Sequence, residues 1–462
     1  MEKIETRDSG ANTPVRYHDV IFAQRNASPK FSATREPMSE RRNHIPTRWI
    51  VCGLLFLVTA VNYIDRSALG LVEPTLKHLL GGDHDPALYN RQYSHIVTCF
   101  IVAYGLGFLV MGRVVDRIGA RLGLAVSISV WALASISHAF ARTALAFALA
   151  RFVLGLGESG NFPAALKATA DWFPPEERAL ATGIFNSGTS AASLIAPVLV
   201  PWVALRFGWQ SAFFVTGGLS LIWLACWLLF PYERRLRAQV GTRTQSANLQ
   251  SVPRASFVSL LTSRATWAFA GSKAFTDPVW WFYLFWLPKY FHERFLVNMN
   301  QLGLPLIVVY VGATMGSIAG GWLSAALMRC GYSLRTARRL AMLVCALVSV
   351  TVVGVPFTHS MGQAIGLLCL ATAAHQGWSS NLLSTPSDAF PSNSVGTVVG
   401  IGGAIGSIGS AAFTTMLGIL WMRHTIALFL VSGLVYLAAL FLFQYGLGNV
   451  QPSQGSASPH PA

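Results

Sequence analysis

The chain alternates long apolar runs with short polar loops about twelve times along its length. Each run holds about 20 residues or more, which is enough for an α-helix to cross the hydrocarbon core of a bilayer. Of the 462 residues, 53% are hydrophobic and 11% are charged, whereas charged residues make up about 25% of a soluble domain. The sequence lacks the short, strictly alternating segments of a transmembrane β-barrel. The pattern predicts an all-α polytopic membrane protein with twelve transmembrane helices.

The predicted spans form two sets of six, separated by a polar stretch. They begin near Arg48, Arg91, Ala120, Ala144, Arg178 and Trp209 in the first half, and near Ala265, Gln301, Arg335, Met361, Ser394 and Arg423 in the second half. We therefore expect six-helix bundles over 48–231 and 265–447, joined by a cytoplasmic linker over 232–264. Residues 1–47 and 448–462 are polar and lack helical periodicity, so they are predicted to be disordered tails. We assign no function to the long N-terminal tail.

The formal net charge of +15 follows the membrane topology rather than a nucleic-acid surface. If both termini are cytoplasmic, 24 of the 34 Lys and Arg residues lie on the cytoplasmic side, 7 on the opposite side and 3 inside the spans. This asymmetry is the positive-inside signature of a multi-pass protein. We expect location in the cell inner (plasma) membrane, with the lipid bilayer as surroundings and no nucleic-acid partner.

The sequence contains no recognisable machinery for metal, nucleotide or catalytic chemistry. Its six cysteines are scattered in or beside apolar runs, with no CxxC pair. There is no HExxH, no P-loop and no G-x-S-x-G nucleophile elbow. We therefore expect neither an enzyme nor a protein that binds a cofactor or metal. A membrane sensor is disfavoured because no stretch is typical of a folded output domain.

Three pairs of charged residues interrupt the apolar runs. A charge in the hydrocarbon core costs between about 2.5 and 17 kcal/mol, so it is rarely kept without a use. The pairs are Asp65 with Arg66, Arg151 with Glu158, and Lys273 with Asp277. They indicate that a polar solute crosses the membrane.

Arg151 and Glu158 are seven residues apart, about two helical turns, so both fall on one face of a helix. Arginine can hold a carboxylate through two N–H groups and does not lose its charge. A buried carboxyl group can exist in either protonation state, which makes Glu158 the leading candidate for a proton carrier. The alternative is a static Arg–Glu pair that holds helices together.

The segment NYIDRS places Asn62 and Arg66 one turn apart on one face, with Asp65 about 100° around the helix. Arg66 then suits a substrate carboxylate, and Asp65 suits a second proton-coupling or interhelical position. The alternative for Asp65 is permanent pairing with a neighbouring cation.

Lys273 and Asp277 are also one turn apart, so they either neutralise each other or Lys273 adds positive charge to an anion site. Trp280 and Trp281 follow on the same run. Aromatic faces suit the C–H faces of a sugar, but tryptophans also mark membrane interfaces.

The tenth predicted span carries several polar groups. His375, Trp378 and Ser379 share a face, and Gln376 and Asn381 add amide groups. A lone histidine in a membrane is more often a satisfied hydrogen-bonding group than a proton relay.

The fifth and eleventh predicted spans are rich in small residues, including Gly183 and Gly188 in the fifth and a GxxxG at 402–406 in the eleventh. Small residues let helices approach closely. The pattern indicates either tight packing or an interface that moves.

The segment GRVVDRIGAR matches the loop signature G-x-x-x-D-R-x-G-x-R of the major facilitator superfamily. The glycines permit a tight turn, and Asp116 can accept from a helix N-terminus or from an arginine across the interface between halves. We predict a conformational latch made of Gly112, Asp116, Arg117 and Arg121.

Taken together, these motifs resemble the anion:cation symporter family of that superfamily, and most closely bacterial hexuronate transporters. The resemblance covers residues 48–447 and includes GESGNFPAALKATADWFPPEERALATGIFNSG, KAFTDPVWWFYLFWLPKYF and AHQGWSSNLLSTPSD. It implies the major facilitator fold, with two pseudo-symmetric six-helix bundles. It also implies proton-coupled uptake of a small anionic substrate, a sugar acid, by alternating access in a monomeric protein.

The resemblance further implies roles for individual residues. With Lys273 from the reasoning above, the predicted substrate-binding set is Arg66, Arg151, Tyr63, Tyr104, Asn186, Thr189, Lys273, Trp378 and Asn381, and the proton-coupling set is Glu158 and Asp65. Galactonate, glucarate and aromatic-acid transporters share much of this pattern, so another organic anion is the alternative substrate. An exporter or facilitator of amphipathic compounds is a further alternative. The sequence does not distinguish H⁺ from Na⁺ coupling.

Overall fold

The structure is a computed structural model that describes residues 47–80, 84–241, 255–296 and 303–446. The fourteen α-helices within these ranges are α1 (Thr47–Leu71), α2 (Glu73–Leu79), α3 (Pro86–His138), α4 (Ala144–Glu158), α5 (Asn161–Trp172), α6 (Pro175–Phe207), α7 (Trp209–Leu229), α8 (Tyr232–Gly241), α9 (Phe257–Leu261), α10 (Arg264–Phe295), α11 (Gly303–Arg329), α12 (Leu334–Ser349), α13 (Met361–Ala389) and α14 (Ser392–Gly446). A 3₁₀ segment, Val350–Phe357, extends α12. No strand occurs in the described ranges, and the all-α prediction is confirmed.

The predicted span starts lie within a few residues of these helix starts, with two exceptions. Ala120 falls inside α3, where Gly119 breaks the helix with φ 86° and lets the chain turn, as GRVVDRIGAR predicts. Arg423 falls inside α14, which runs for 55 residues. By length and composition alone, eight helices of the described chain can cross a membrane.

The fourth predicted span is two helices rather than one. α4 ends at Glu158 and α5 begins at Asn161. Around the break, a methyl group on Gly157 would come within 2.7 Å of the Trp131 backbone nitrogen, and one on Gly160 would collide with the Ser127 hydroxyl. The glycines therefore let α4 lie directly against α3, which brings Glu158 into the interior.

The predicted linker contains two short helices, α8 and α9. The rest of the linker, residues 242–254, lies outside the described residues, as do residues 1–46 and 447–462, where the two tails were predicted.

Helices of the first half pack closely on helices of the second half through small residues. A methyl group on Gly183 of α6 would collide with the Ser317 carbonyl oxygen of α11, and one on Gly400 of α14 would collide with the Phe108 carbonyl oxygen of α3. The close approach expected of the fifth and eleventh spans is confirmed.

Candidate functional site

The charges of α1 and α4 meet in a buried ion pair between Arg66 and Glu158. The Nε and Nη2 atoms of Arg66 both lie 2.8 Å from Glu158 Oε2. Glu158 is fully buried, and the Arg66 side chain is 12% exposed. The other carboxylate oxygen, Oε1, is buried and accepts no hydrogen bond within the described chain. Glu158 thus retains an unused acceptor beside a cation.

Aromatic rings surround the Arg66 guanidinium. It lies 4.5 Å from the ring centroid of Tyr63, 4.4 Å from that of Tyr104 and 5.3 Å from that of Phe100. Such rings stabilise a cation without supplying a negative charge. Tyr63 and Tyr104, both predicted substrate-binding residues, therefore lie at Arg66. Phe100 lies there too, but nothing in the sequence had indicated it.

Arg151 lies next to this pair but does not bond to Glu158. Its Nη1 donates to the Arg66 carbonyl oxygen at 3.2 Å, and its guanidinium lies 5.6 Å from the Phe100 centroid. The side chain is buried, and its Nε has no hydrogen-bond partner in the described chain. The static Arg151–Glu158 pair considered from the sequence is not observed, because two helical turns separate the residues along α4.

Asp65 is buried among hydroxyl groups. Ser135 of α3 donates to its Oδ1 at 2.7 Å, and Ser220 of α7 donates to its Oδ2 at 2.6 Å. Trp131 in turn donates to the Ser220 hydroxyl at 2.9 Å. Asp65 therefore connects three helices of the first half through hydroxyls, which the sequence did not reveal, rather than through the neighbouring cation that we considered.

Further buried polar atoms of α1 and α6 have no hydrogen-bond partner in the described chain. Both amide atoms of Asn62, one turn before Arg66, are among them, as is the Thr189 hydroxyl of α6. Asn62 and Thr189 are almost fully buried. Unpaired buried polar groups are costly, so these atoms are candidates to bind water or a polar ligand.

In the second half, Lys273 and Asp277 of α10 form an ion pair of 2.7 Å. A methyl group on Gly406 of α14 would come within 2.5 Å of Asp277 Oδ2, so the pair lies against α14. The mutual neutralisation expected from their spacing is observed.

Two residues of the predicted substrate-binding set instead connect helices. Asn186 of α6 donates to the Gln376 side chain of α13 at 2.8 Å, which joins the two halves. Asn381 of α13 donates to the carbonyl oxygens of Gly320 and Gly377, at 2.9 and 3.0 Å, and accepts from Ser324. Every hydrogen-bonding group of the Asn381 side chain is thereby engaged, so a role in substrate binding would require these bonds to break.

Trp378 is fully buried, and its ring packs edge-on against Tyr436 at 5.5 Å. Its indole N–H has no hydrogen-bond partner within the described chain. The role of Trp378 stays a prediction.

The predicted latch residue Asp116 caps the start of α14. Its Oδ1 accepts from the Gly396 backbone N–H at 2.9 Å, and its Oδ2 accepts from the Thr397 N–H and hydroxyl, each at 2.6 Å. Lys167 of α5 lies 4.0 Å from Oδ1 and donates to the Ser392 carbonyl oxygen. The sequence predicted that Asp116 accepts either from a helix N-terminus or from an arginine across the interface. The structure shows the first of these, the N-terminal part of α14.

The other latch residues lie around the same turn. A methyl group on Gly112 would collide with the Gly396 carbonyl oxygen, so only glycine allows this approach of α3 to α14. Arg121 donates to the Leu228 carbonyl oxygen at 2.8 Å, at the end of α7. Arg117 is exposed and lines a cavity of about 200 Å³ beside Asp116.

A second contact between the halves was missed from the sequence. Asp388 of α13 accepts from Arg338 of α12 at 3.0 Å and from Arg178 of α6 at 3.4 Å. Arg338 also donates to the Pro175 carbonyl oxygen at 3.1 Å. The motif AHQGWSSNLLSTPSD contains Asp388, so a signal was present but the partners were not predictable. Asp116 and Asp388 lie at the end of the molecule that also carries Arg117, Arg178 and Arg338. We call it the basic end.

A larger cavity, of about 650 Å³, lies between α3 and α4 and is lined mainly by apolar side chains such as Leu133, Phe140 and Leu149. These three side chains are exposed, and neither Arg66 nor Glu158 lines the cavity. Within the described chain, no group of three or more His, Cys, Asp or Glu residues is placed to hold a metal ion.

The comparisons with known proteins agree with this arrangement. The family model described as Major Facilitator Superfamily matches residues 55–414. The chain belongs to this superfamily. It is therefore a multi-pass membrane transporter and not an enzyme.

Several curated relatives of this chain are named for sugar acids. The chain is 29% identical over 383 residues to the hexuronate transporter of Escherichia coli strain K12, covering 81% of this chain and 87% of that protein. It is 31% identical over 285 residues to the galacturonate transporter of Dickeya chrysanthemi, covering 60% of this chain and 81% of that protein.

Among solved structures, the proton:xylose symporter XylE bound to 6-bromo-6-deoxy-D-glucose superimposes with a TM-score of 0.69 at 13% identity, covering 85% of this chain and 94% of that chain. At this identity the likeness concerns the fold, and it confirms the predicted major facilitator architecture.

Proposed function

We propose that this protein is a secondary active transporter that couples proton entry to the uptake of a hexuronate anion. The names of the hexuronate and galacturonate transporters support the substrate class. The observation that carries the coupling is the buried ion pair between Arg66 and Glu158. Of the predicted substrate-binding residues, Tyr63 and Tyr104 lie on the Arg66 guanidinium and Arg151 donates to the Arg66 carbonyl oxygen. Thr189 of α6 offers a buried hydroxyl that has no partner in the described chain.

In this mechanism, one cation has two competing carboxylate partners. While Glu158 is ionised, it occupies Arg66. A proton on Glu158 removes that charge, weakens the ion pair and leaves the guanidinium free to hold the carboxylate of the substrate. Proton and anion therefore favour each other's binding, which is the thermodynamic condition for symport.

Alternating access then turns coupled binding into transport. With proton and anion both bound, the charges of the site are balanced, and the two halves can rearrange around it. At the higher pH of the cytoplasm, Glu158 loses its proton, recaptures Arg66 and displaces the sugar acid. We place both termini on the cytoplasmic side of the inner membrane, supported by the excess of Lys and Arg there.

The test is uptake of labelled D-glucuronate or D-galacturonate into proteoliposomes, with and without an inward proton gradient. We expect accumulation that depends on the gradient. The variant Glu158→Gln keeps the shape of the side chain but cannot carry the proton, so it should retain exchange of substrate and lose gradient-driven accumulation.

The matched control is Glu177→Gln. Glu177 of α6 also forms an Arg–Glu ion pair with α1, 2.9 Å from Arg48, but it is partly exposed. This variant should accumulate substrate as the wild type does. Full accumulation by Glu158→Gln would refute the proton-carrier role, and no uptake of either acid by the folded wild type would refute the hexuronate assignment.

A different organic anion is the second candidate, and Lys273 is the observation that favours it. If Lys273 released Asp277, its ammonium group could hold a second carboxylate, as in the dicarboxylate glucarate. Competition by unlabelled glucarate and galactonate against labelled uronate separates these substrates. An exporter of amphipathic compounds would tolerate Arg151→Gln, whereas an anion site should lose most of its uptake.

A further inference from the structure

Three side chains of α10 share one stripe that faces the other helices of the second half. Lys273, Asp277 and Trp280 are spaced i, i+4 and i+7, which places them on one helical face. A methyl group on Gly406 of α14 would come within 2.5 Å of Asp277 Oδ2. The next residue, Ser407, lies 3.7 Å from such a methyl group on Gly105, which neighbours Tyr104 in α3. Trp280 therefore belongs to a face that points into the protein and not to an interfacial belt.

The ring of Trp280 is held rigidly from one side. The His375 imidazole of α13 stacks on it with centroids 5.3 Å apart and planes 8° from parallel. Tyr310 of α11 contacts it at 6.4 Å with planes 66° apart, which is an edge contact. Trp280 itself is only partly buried.

His375 is fixed in turn by Tyr436 of α14. Its Nδ1 forms a short hydrogen bond with the Tyr436 hydroxyl, and the two rings meet nearly at right angles. Both residues are buried. The histidine that the sequence left open between a hydrogen-bonding group and a proton relay is thus locked in one orientation, with its face against Trp280.

We propose that Trp280, braced by His375, is the platform on which the pyranose ring of the substrate stacks, so that it selects cyclic uronates over open-chain sugar acids. This inference rests on the proposed function and names the substrate form which that site recognises. Trp280 would contact the sugar, and His375 would be a positioning residue that acts through Trp280.

The chemical basis of the selection is the shape of the two substrate classes. A uronate keeps the aldehyde carbon that closes a pyranose ring, and the ring presents a flat patch of C–H groups. Aldonates and aldarates lack that aldehyde, so they are flexible chains with no fixed C–H face. A rigid indole gains contact with the first class at little entropic cost. Arg66 on the opposite half would bind the carboxylate that both classes share.

The experiment measures exchange of labelled D-galacturonate in proteoliposomes without a proton gradient, with unlabelled glucuronate, galactonate or glucarate as competitors. Trp280→Leu removes the flat face and should raise the half-saturation concentration for both cyclic uronates about fivefold to tenfold. The competition constants for galactonate and glucarate should change less than about twofold. Trp280→Phe keeps a smaller ring and should give intermediate values.

The positioning role is tested with His375→Leu and His375→Phe. The leucine variant should reproduce part of the Trp280→Leu effect on half-saturation without a matching loss of maximal rate, and the phenylalanine variant, which keeps a flat face, should restore most of the affinity. Trp322→Leu is the matched control, because Trp322 is a tryptophan of α11 that is 53% exposed.

Two failures are distinguishable. If the wild type exchanges uronates but Trp280→Leu and Trp280→Phe leave them unaffected, or weaken cyclic and open-chain acids equally, the platform is refuted while the proposed function stands. If the folded wild type exchanges no uronate, the proposed function is refuted and the platform with it.

Discussion

At the scale of single residues, two buried carboxylates of the first half have different surroundings and therefore different chemistry. Glu158 faces the guanidinium of Arg66 and keeps one oxygen free of hydrogen bonds within the described chain. Asp65 accepts a hydroxyl hydrogen bond at each oxygen, from Ser135 and Ser220. Glu158 is equipped to exchange partners, whereas the bonds of Asp65 also hold α1 to α3 and α7.

We predict that Asp65→Asn preserves thermal stability, whereas Asp65→Leu lowers it. An asparagine accepts from one serine and donates to the other, so both hydroxyls stay paired. A leucine removes the acceptor of both hydroxyls. Ser135 can still bond to Thr216, 3.2 Å away, but the Ser220 hydroxyl loses its acceptor at a cost of about 1–3 kcal/mol. Melting temperatures of the purified proteins in detergent provide the measurement. Equal melting of the two variants would show that the hydroxyl cluster contributes no stability.

The sequence identified the buried charges but not their partners. The spacing of Arg151 and Glu158 correctly placed them on one helical face, yet the ion pair of Glu158 is with Arg66 of another helix. Helical periodicity fixes which way a side chain points on its own helix. It contains no information about the relative height of two helices, and this height decides which charges meet.

At the scale of helices, glycines determine how closely the two halves approach. Gly183 of α6 lies against Ser317 of α11, and the Ser317 hydroxyl donates to the Gly183 carbonyl oxygen at 2.8 Å. The composition of the fifth span predicted close packing but not the partner helix. The break between α4 and α5 was also unpredicted, although it falls in the polar segment GESGN.

The variant Gly183→Ala should lower the melting temperature, because its methyl group meets a backbone carbonyl that cannot move without shifting α11. Overpacking of this kind costs about 1–3 kcal/mol. Gly53→Ala is the matched control, since a methyl group added to Gly53 of α1 would meet no atom within 4 Å in the described chain. It should match or exceed the wild type, because alanine favours a helix by about 0.5–1 kcal/mol over glycine. A Gly183→Ala protein as stable as Gly53→Ala would contradict the close contact.

At the scale of the whole molecule, carboxylates of both halves join the halves at the basic end. Asp171 of α5 accepts from the Ser392 hydroxyl at the start of α14. Asp116 of α3 caps α14, and Asp388 of α13 receives Arg178 of α6. Asp116 and Asp171 belong to the first half and Asp388 to the second, and each binds an element of the other half. This reciprocal arrangement suits a gate in which both halves contribute to closing the basic end. Only Asp116 lies in a recognisable sequence signature.

We predict that the carboxylates of Asp116 and Asp388 must both be lost before the basic end stands open in most molecules. Each set of charge-assisted hydrogen bonds contributes about 1.5–3 kcal/mol to the closed state. Changing the ratio of open to closed molecules from 1:99 to 99:1 requires about 5.5 kcal/mol. Asp116→Ala and Asp388→Ala should therefore each shift the population only partly, while the double variant should be mainly open.

Electron paramagnetic resonance distances between spin labels at Ile118→Cys and Thr336→Cys can report this population. Both positions are exposed, Ile118 beside the break of α3 at Gly119 and Thr336 near the start of α12. The exposed Cys226 and Cys330 are first replaced by serine. Glu177→Ala, which breaks an ion pair within the first half, should keep the wild-type distances. If the double variant also keeps them, closure depends on the packed helices rather than on the two carboxylates, and the small-residue contacts of Gly183 and Gly400 would have to be the gate.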